Sequence, residues 1–209
     1  DAVVEHTIRT VAGRVPVIVG SGSNCTATQV QKSVDYQAMG ADALLLIAPY
    51  YNKANPEGMY RHFADTADAV SIPCILYNVP GRTGCNLLPK TVAKLAEHPN
   101  IVGIKEANGD ISSVVDTMAR CRHKIDMYSG NDDQVVPLMS LGGKGVISVL
   151  SNLMPGETSA MCQKYLAGDR IEALKLQLDL LPLINNLFSD EFPYFYIKPT
   201  SNSVLKITI

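Results

Sequence analysis

Lys105 ends a short apolar run, and its position could make it a nucleophile. The run is 101–105, Ile-Val-Gly-Ile-Lys, and strand alternation places Lys105 on the face opposite to Val102 and Ile104. On a buried face, desolvation disfavours the ammonium ion and lowers the lysine pKa, and the neutral amine can then add to a ketone to form a Schiff base. The alternative is a lysine that leaves the strand toward solvent. Glu106 follows directly, but alternation points its side chain to the other face, so it is left out of the candidate site.

Tyr77 and Arg82 lie on one stretch, 76–84, with the sequence Leu-Tyr-Asn-Val-Pro-Gly-Arg-Thr-Gly. Tyr77 ends another apolar run, and its phenol could transfer protons while bonds to carbon form and break. Arg82 carries a planar fork of donors that suits a carboxylate. The alternatives are a tyrosine packed at a strand end and a solvated loop arginine.

Two adjacent tyrosines, Tyr50 and Tyr51, follow a third apolar run directly. Tyrosines on loops commonly anchor protein interfaces, and here that role could coincide with a functional one. The glycine-rich segment 142–145 precedes its apolar run, so no helix N-terminus follows the glycines, and we interpret it as a tight turn rather than a phosphate site.

Apolar runs alternate with helical periods along the chain, which predicts repeated βα units. The runs are 15–20, 43–48, 72–77, 101–105, 124–128 and 145–149, and the predicted helices between and after them are 26–39, 56–70, 88–97, 111–120, 157–167 and 170–188. An open doubly wound sheet would need a third glycine after the first run, which is missing. Polar residues at each strand end favour a (β/α)8 TIM barrel instead, because barrel enzymes build their sites there.

The predicted organisation is a partial barrel of six βα units over 1–150, a helical segment over 151–189 and an atypical tail over 190–209. Because a full barrel has eight strands, we expect the first two to precede Asp1. A six-stranded sheet would leave two open edges and an uncovered apolar interior, so we expect this chain to be poorly soluble or to associate with itself.

Composition argues against several classes of function. The net charge of −2 offers no basic excess for nucleic acid, and no apolar run is long enough to span a membrane. Five scattered cysteines and four histidines lack ligand spacing, so no metal site is expected. The cysteines are interpreted as thiols of a reducing compartment, and the cytoplasm is the expected location.

Several motifs in order resemble one family. They are Pro-Tyr-Tyr-Asn at 49–52, Tyr-Asn-Val-Pro-Gly-Arg-Thr-Gly at 77–84, Gly-Ile-Lys-Glu-Ala at 103–107, Ser-Gly-Asn-Asp at 129–132 and Gly-Gly-Lys-Gly-Val-Ile-Ser-Val at 142–149. Over 3–188 the chain is similar to the dihydrodipicolinate synthase family of the N-acetylneuraminate lyase superfamily. The resemblance implies condensation of pyruvate with aspartate semialdehyde for lysine and diaminopimelate biosynthesis.

The same resemblance implies roles for individual residues. Lys105 would form the Schiff base with pyruvate, with no other cofactor, and Tyr77 would relay protons. Tyr51 would reach across a dimer interface into the neighbouring site of a homo-oligomer, a dimer of dimers in the family.

The resemblance also implies substrate-binding residues. Arg82 would hold the carboxylate of aspartate semialdehyde, and Gly130 and Ile147 would line the pyruvate pocket. The family's Gly-Thr-Thr-Gly-Glu loop has no counterpart in this sequence, so we expect weak or no activity from this chain. Another pyruvate-dependent aldolase of the superfamily and a non-catalytic remnant acting as a binding subunit remain as alternatives.

Overall fold

The computed structural model describes residues 1–188, and its centre is a parallel sheet. Its six strands follow one another in the order β1-β2-β3-β4-β5-β6. Their bounds are β1 Ile18–Gly20, β2 Ala43–Ile47, β3 Cys74–Asn78, β4 Ile101–Glu106, β5 Asp126–Ser129 and β6 Gly145–Val146. All neighbouring strands pair in parallel, so their carboxyl ends share one edge.

Helices connect the strands and extend beyond them. Their bounds are α1 Ala2–Val11, α2 Thr26–Ala38, α3 Pro56–Asp68, α4 Pro80–Thr83, α5 Pro89–Leu95, α6 Ile111–Cys121, α7 Val135–Ser140, α8 Pro155–Leu166 and α9 Arg170–Leu187. The prediction of a partial (β/α)8 barrel followed by C-terminal helices is confirmed.

Local chemistry explains where two of these helices begin. The Asn55 side chain accepts a hydrogen bond from the Gly58 N–H, and Pro56 occupies the first turn of α3. The Asp110 side chain accepts from the Ser112 N–H at the start of α6. Both caps satisfy N–H groups that have no partner within the helix.

Two hydrophobic clusters hold the described part of the chain together. The larger lies between the sheet and the helices around it and includes Leu44, Phe63, Leu76 and Ile104, each 0% exposed. The smaller joins α7 to α8 and α9 and includes Met161. The sheet is thus fixed from its helical side, which leaves the opposite face and the strand ends to form a site.

Several details differ from the sequence-based expectations. The first strand begins at Ile18 rather than at residue 15, and α4 and α7 were not expected. Both helices are short, and α7 contains Pro137, so neither shows enough turns for a helical period. The predicted tail at 190–209, and the last residue of the 151–189 segment, lie outside the described residues.

The strands β1 and β6 form the two ends of the described sheet. Self-association through these ends stays a prediction. Within residues 1–188, no helix has the length and apolar character needed to cross a bilayer.

Candidate active site

The ends of β3 and β4 bring two of the predicted residues together. Tyr77 lies directly opposite Lys105 in the parallel register. The Nζ atom of Lys105 lies 4.2 Å from the centre of the Tyr77 ring. Because the two strands are hydrogen-bonded neighbours within the core, this contact is set by backbone pairing rather than by a flexible loop.

Lys105 lies in an environment that favours its neutral form. It is 9% exposed, and its burial lowers the pKa of its ammonium group, while the negative charge of Asp132 acts in the opposite direction. A lowered pKa increases the fraction of free amine, the form that adds to a carbonyl carbon. Of the two sequence-based alternatives, the structure has the buried lysine and not the one directed to solvent.

Gly130 has no side chain, and this leaves room for the side chain of Lys105. A Cβ atom at this position would lie 2.7 Å from the Cβ of Ala107 and 3.1 Å from the Cε of Lys105. Any larger residue would therefore collide with Ala107 and crowd the end of the lysine side chain. Ile147 lies beside this turn, because its N–H donates to the Ser129 carbonyl at 2.9 Å.

Tyr51 and Arg82 lie on two loops that contact each other. The Tyr51 N–H donates to the carbonyl of Thr83, next to Arg82, at 3.1 Å. Tyr51 is 87% exposed, so it is not packed against Lys105 within this chain. Its backbone has φ +71°, a left-handed conformation that a tyrosine rarely adopts. The loop thus projects the ring outward from the surface.

Sequence reasoning missed Asp132, although the motif containing it was recognised. Asp132 is 2% exposed, and its Oδ2 atom accepts the N–H groups of Val149 and Leu150, each at 3.0 Å. Its Oδ1 atom has no hydrogen-bond partner among residues 1–188. Asp132 comes near Lys105 only through the pairing of the strands, which the sequence does not show. The one sequence signal for a buried acid is the Asn-Asp-Asp segment after a strand.

A second missed feature is the pair of Asn78 and Glu106, which follow Tyr77 and Lys105 and lie opposite each other in the register. They are 0% and 3% exposed. In the part of the chain that the structure describes, no group of three or more histidine, cysteine, aspartate or glutamate residues could hold a metal ion.

Comparison with known proteins identifies the family. The sequence model of the Dihydrodipicolinate synthetase family matches residues 1–202. The chain belongs to this family. The match reaches into the 190–209 segment, which the sequence alone set apart as atypical.

Relatives within the family are similar over most of this chain. The 4-hydroxy-tetrahydrodipicolinate synthase of Clostridium novyi (strain NT) is 50% identical over 190 residues, which cover 91% of this chain and 64% of that protein. The enzyme of the same name from Pelobacter propionicus is 50% identical over 191 residues, covering 91% and 66%. The chain thus spans about two thirds of the length of these relatives, and slightly less for the former.

Solved structures of the family share the fold. The dihydrodipicolinate synthase of Aquifex aeolicus matches with a TM-score of 0.89 at 37% identity, over 92% of this chain and 66% of that one. The chloride-inhibited enzyme of Acinetobacter baumannii, solved in complex with pyruvate, matches with a TM-score of 0.88 at 42% identity, over the same shares.

Proposed function

We propose that this chain carries the pyruvate-activating site of a 4-hydroxy-tetrahydrodipicolinate synthase, a lyase that condenses pyruvate with aspartate semialdehyde in lysine and diaminopimelate biosynthesis. The observation that carries the proposal is the buried Lys105 amine, 4.2 Å from the Tyr77 ring, at the strand ends of a family member. The pyruvate complex of the Acinetobacter baumannii relative supports the choice of keto acid.

The proposed reaction begins at Nζ of Lys105. The neutral amine adds to the ketone carbon of pyruvate, and the ketone oxygen takes up a proton to give a carbinolamine. Loss of water gives the protonated Schiff base, and loss of a methyl proton gives the enamine. The enamine carbon then attacks the aldehyde carbon of aspartate semialdehyde, and the aldehyde oxygen takes up a proton. The amino group that the semialdehyde brings then adds to the Schiff-base carbon and expels Nζ of Lys105, which closes the ring and frees the lysine amine. This scheme requires no cofactor, because pyruvate itself is bound covalently as a substrate.

Two tyrosines are assigned to proton transfer. Tyr77 is proposed as the residue that exchanges protons with the carbinolamine, and its place beside Lys105 in the register supports this role. Tyr51 is proposed to complete the relay in a second copy of the chain. Its 87% exposure and outward-held ring support a contact made between subunits of a homo-oligomer.

The remaining site residues are assigned to substrate binding. Arg82 is proposed to bind the carboxylate of aspartate semialdehyde, and Gly130 and Ile147 to line the pyruvate pocket. The closeness of Gly130 to the Lys105 Cε position supports its assignment. The cytoplasm is the proposed location, and the five free thiols at 25, 74, 85, 121 and 162 support it.

An assay of product formation with several aldehydes tests the proposed reaction. We expect this chain to be weakly active or inactive in turnover, because it has no counterpart of the family's Gly-Thr-Thr-Gly-Glu loop. Any turnover should be greatest with aspartate semialdehyde, and reduction with borohydride in the presence of pyruvate should leave a covalent adduct. Faster use of a sugar-derived aldehyde would instead indicate another aldolase of the superfamily. Absence of any pyruvate adduct would contradict the catalytic assignment and favour a non-catalytic binding subunit.

A further inference from the structure

The side of β3 and β4 opposite to Tyr77 and Lys105 carries a buried polar pair, Asn78 and Glu106. The Asn78 Nδ2 group donates to both carboxylate oxygens of Glu106, at 3.0 and 3.2 Å. The Asn108 N–H donates to the Glu106 Oε1 at 2.9 Å. Each residue directly follows a proposed catalytic residue, so the pair fixes the two strand ends against each other.

Glu106 is a buried carboxyl group that the proposed reaction does not use. None of the ion pairs within residues 1–188 includes it. Burial raises the pKa of Glu106 to about 7, while the hydrogen bonds from Asn78 and from the backbone at Asn108 and Ala107 act in the opposite direction. Burying a carboxyl group is unfavourable unless its hydrogen bonds are satisfied, and the bonds from Asn78 and Asn108 meet this need.

Asn78 also closes the loop that carries Arg82. The loop consists of 79–87, starts immediately after Asn78 and includes α4. The side chain of Asn78 contacts the far end of this loop through two hydrogen bonds. Its Nδ2 group donates to the Asn86 Oδ1 at 2.8 Å, and the Leu87 N–H donates to its Oδ1 at 2.9 Å. One side chain therefore ties the end of this loop to its beginning.

The 79–87 loop in turn supports the neighbouring loop of Tyr51. Besides the bond between the Tyr51 N–H and the Thr83 carbonyl, the Cys85 Sγ lies 3.1 Å from the Pro49 carbonyl oxygen. A shift of 79–87 would therefore move both exposed elements of the site and leave the Lys105 amine, on β4, in place.

We propose that Asn78 and Glu106 form a buried clamp that fixes the 79–87 loop and thereby sets the affinity for the carboxylate-bearing aldehyde through Arg82. The two are positioning residues, because they lie on the side of β3 and β4 opposite to Tyr77 and Lys105 and act through the loop. The inference rests on the proposed function for the identity of the aldehyde, whereas the clamp itself is defined by the hydrogen bonds of the described residues.

Hydrogen exchange followed by mass spectrometry on the full chain tests the clamp. In Asn78→Ala, the amides of 79–87 should exchange about tenfold faster or more, since two hydrogen bonds to the loop are lost. Glu106→Gln keeps the side-chain volume and removes one carboxylate oxygen, so it should give a smaller increase. This second variant keeps the test valid if Asn78→Ala does not fold.

A matched control removes a similar amide at the other end of β4. The Asn100 Nδ2 group donates to the carbonyls of Ala67 and Val70, far along the strand from the proposed site. Asn100→Ala should leave the exchange of 79–87 within about twofold of the wild type. An equal increase in this variant would mean that general loss of stability, and not the clamp, controls the loop.

Titration with aspartate semialdehyde during exchange tests the effect on affinity without requiring turnover. The concentration that gives half of the added protection of 79–87 should rise about tenfold or more in Asn78→Ala and stay unchanged in Asn100→Ala. The pyruvate concentration for half-maximal borohydride trapping should change by less than about twofold in both. Unchanged loop exchange, or an unchanged aldehyde midpoint, in both clamp variants would overturn the inference. Failure of the wild type to form a pyruvate adduct would instead refute the proposed function, while the exchange rates would still decide whether the clamp exists.

Discussion

Two regions of the proposed site differ in burial. One consists of the ends of β3 and β4, and the other of the loops that carry Tyr51 and Arg82. Lys105 is 9% exposed and contacts the Tyr77 ring, whereas Tyr51 is 87% exposed. At the strand ends, burial lowers the pKa of Lys105 and so favours the reactive neutral amine. The ring of Tyr51 has no comparable burial, and its proposed role depends on a second copy of the chain. The described residues therefore enclose the Lys105 amine, whereas they leave Tyr51 open to solvent.

Removal of the amine should give the largest effect. In Lys105→Met, borohydride trapping of pyruvate should fall by at least about a thousandfold, because no nucleophile remains in the buried site. Intact-mass spectrometry measures the trapped fraction. Lys144→Met removes a lysine whose side chain is 56% exposed and should trap as the wild type does. Equal trapping in the two variants would show that exposed lysines account for the adduct.

Glu106 should make the free energy of unfolding depend on pH. Because its pKa is raised from 4.5 to about 7, the folded state binds the proton more tightly than the unfolded state, and this contribution to stability is complete below pH 4.5 and lost as the pH rises to about 7. Glu106→Gln should remove about 3 kcal/mol of this pH dependence.

Urea unfolding at pH 5 and pH 8 measures this effect as the difference between the variant and the wild type. The difference is needed because burial lowers the pKa of His62, which makes stability rise with pH near 6.5. Glu57→Gln, at an exposed site, is the control. Parallel pH profiles for wild type and Glu106→Gln would show that Glu106 is not held in the buried state described.

Gly130→Ala should have an intermediate effect on stability. Its new Cβ would approach the Ala107 Cβ and the Lys105 Cε, so we expect about 1–3 kcal/mol of destabilisation, measured by urea unfolding, together with slower pyruvate trapping. Gly156→Ala, with no atom within 4 Å of the added Cβ, should not destabilise the chain. A neutral Gly130→Ala would contradict the close packing around the amine.

Tyr51→Phe should have the smallest effect on the fold. Loss of a hydroxyl from a residue that is 87% exposed should change the free energy of unfolding by less than about 0.5 kcal/mol. Thermal and urea unfolding measure this change. A larger loss of stability would show that the tyrosine contributes to this chain's own packing, which would weaken its assignment to a neighbouring subunit.

The sequence predicts the sheet well because most of its strands lie within apolar runs between helical segments. It also places Lys105 and Tyr77 at strand ends, since alternation and run boundaries are local properties. The contact between Asn78 and Glu106 is different, because it joins residues 28 positions apart through the β3–β4 register. The buried state of Asp132 likewise depends on backbone N–H groups that follow β6. Non-local pairing of this kind leaves no periodic signal in one sequence.

The position of the pyruvate adduct shows whether Lys105 is the nucleophile. The wild-type chain would be incubated with pyruvate, reduced with borohydride, digested and mapped by tandem mass spectrometry. We expect a single modified residue, Lys105, because its burial lowers the pKa of this amine. An adduct spread over exposed lysines, or no adduct at Lys105, would contradict this expectation.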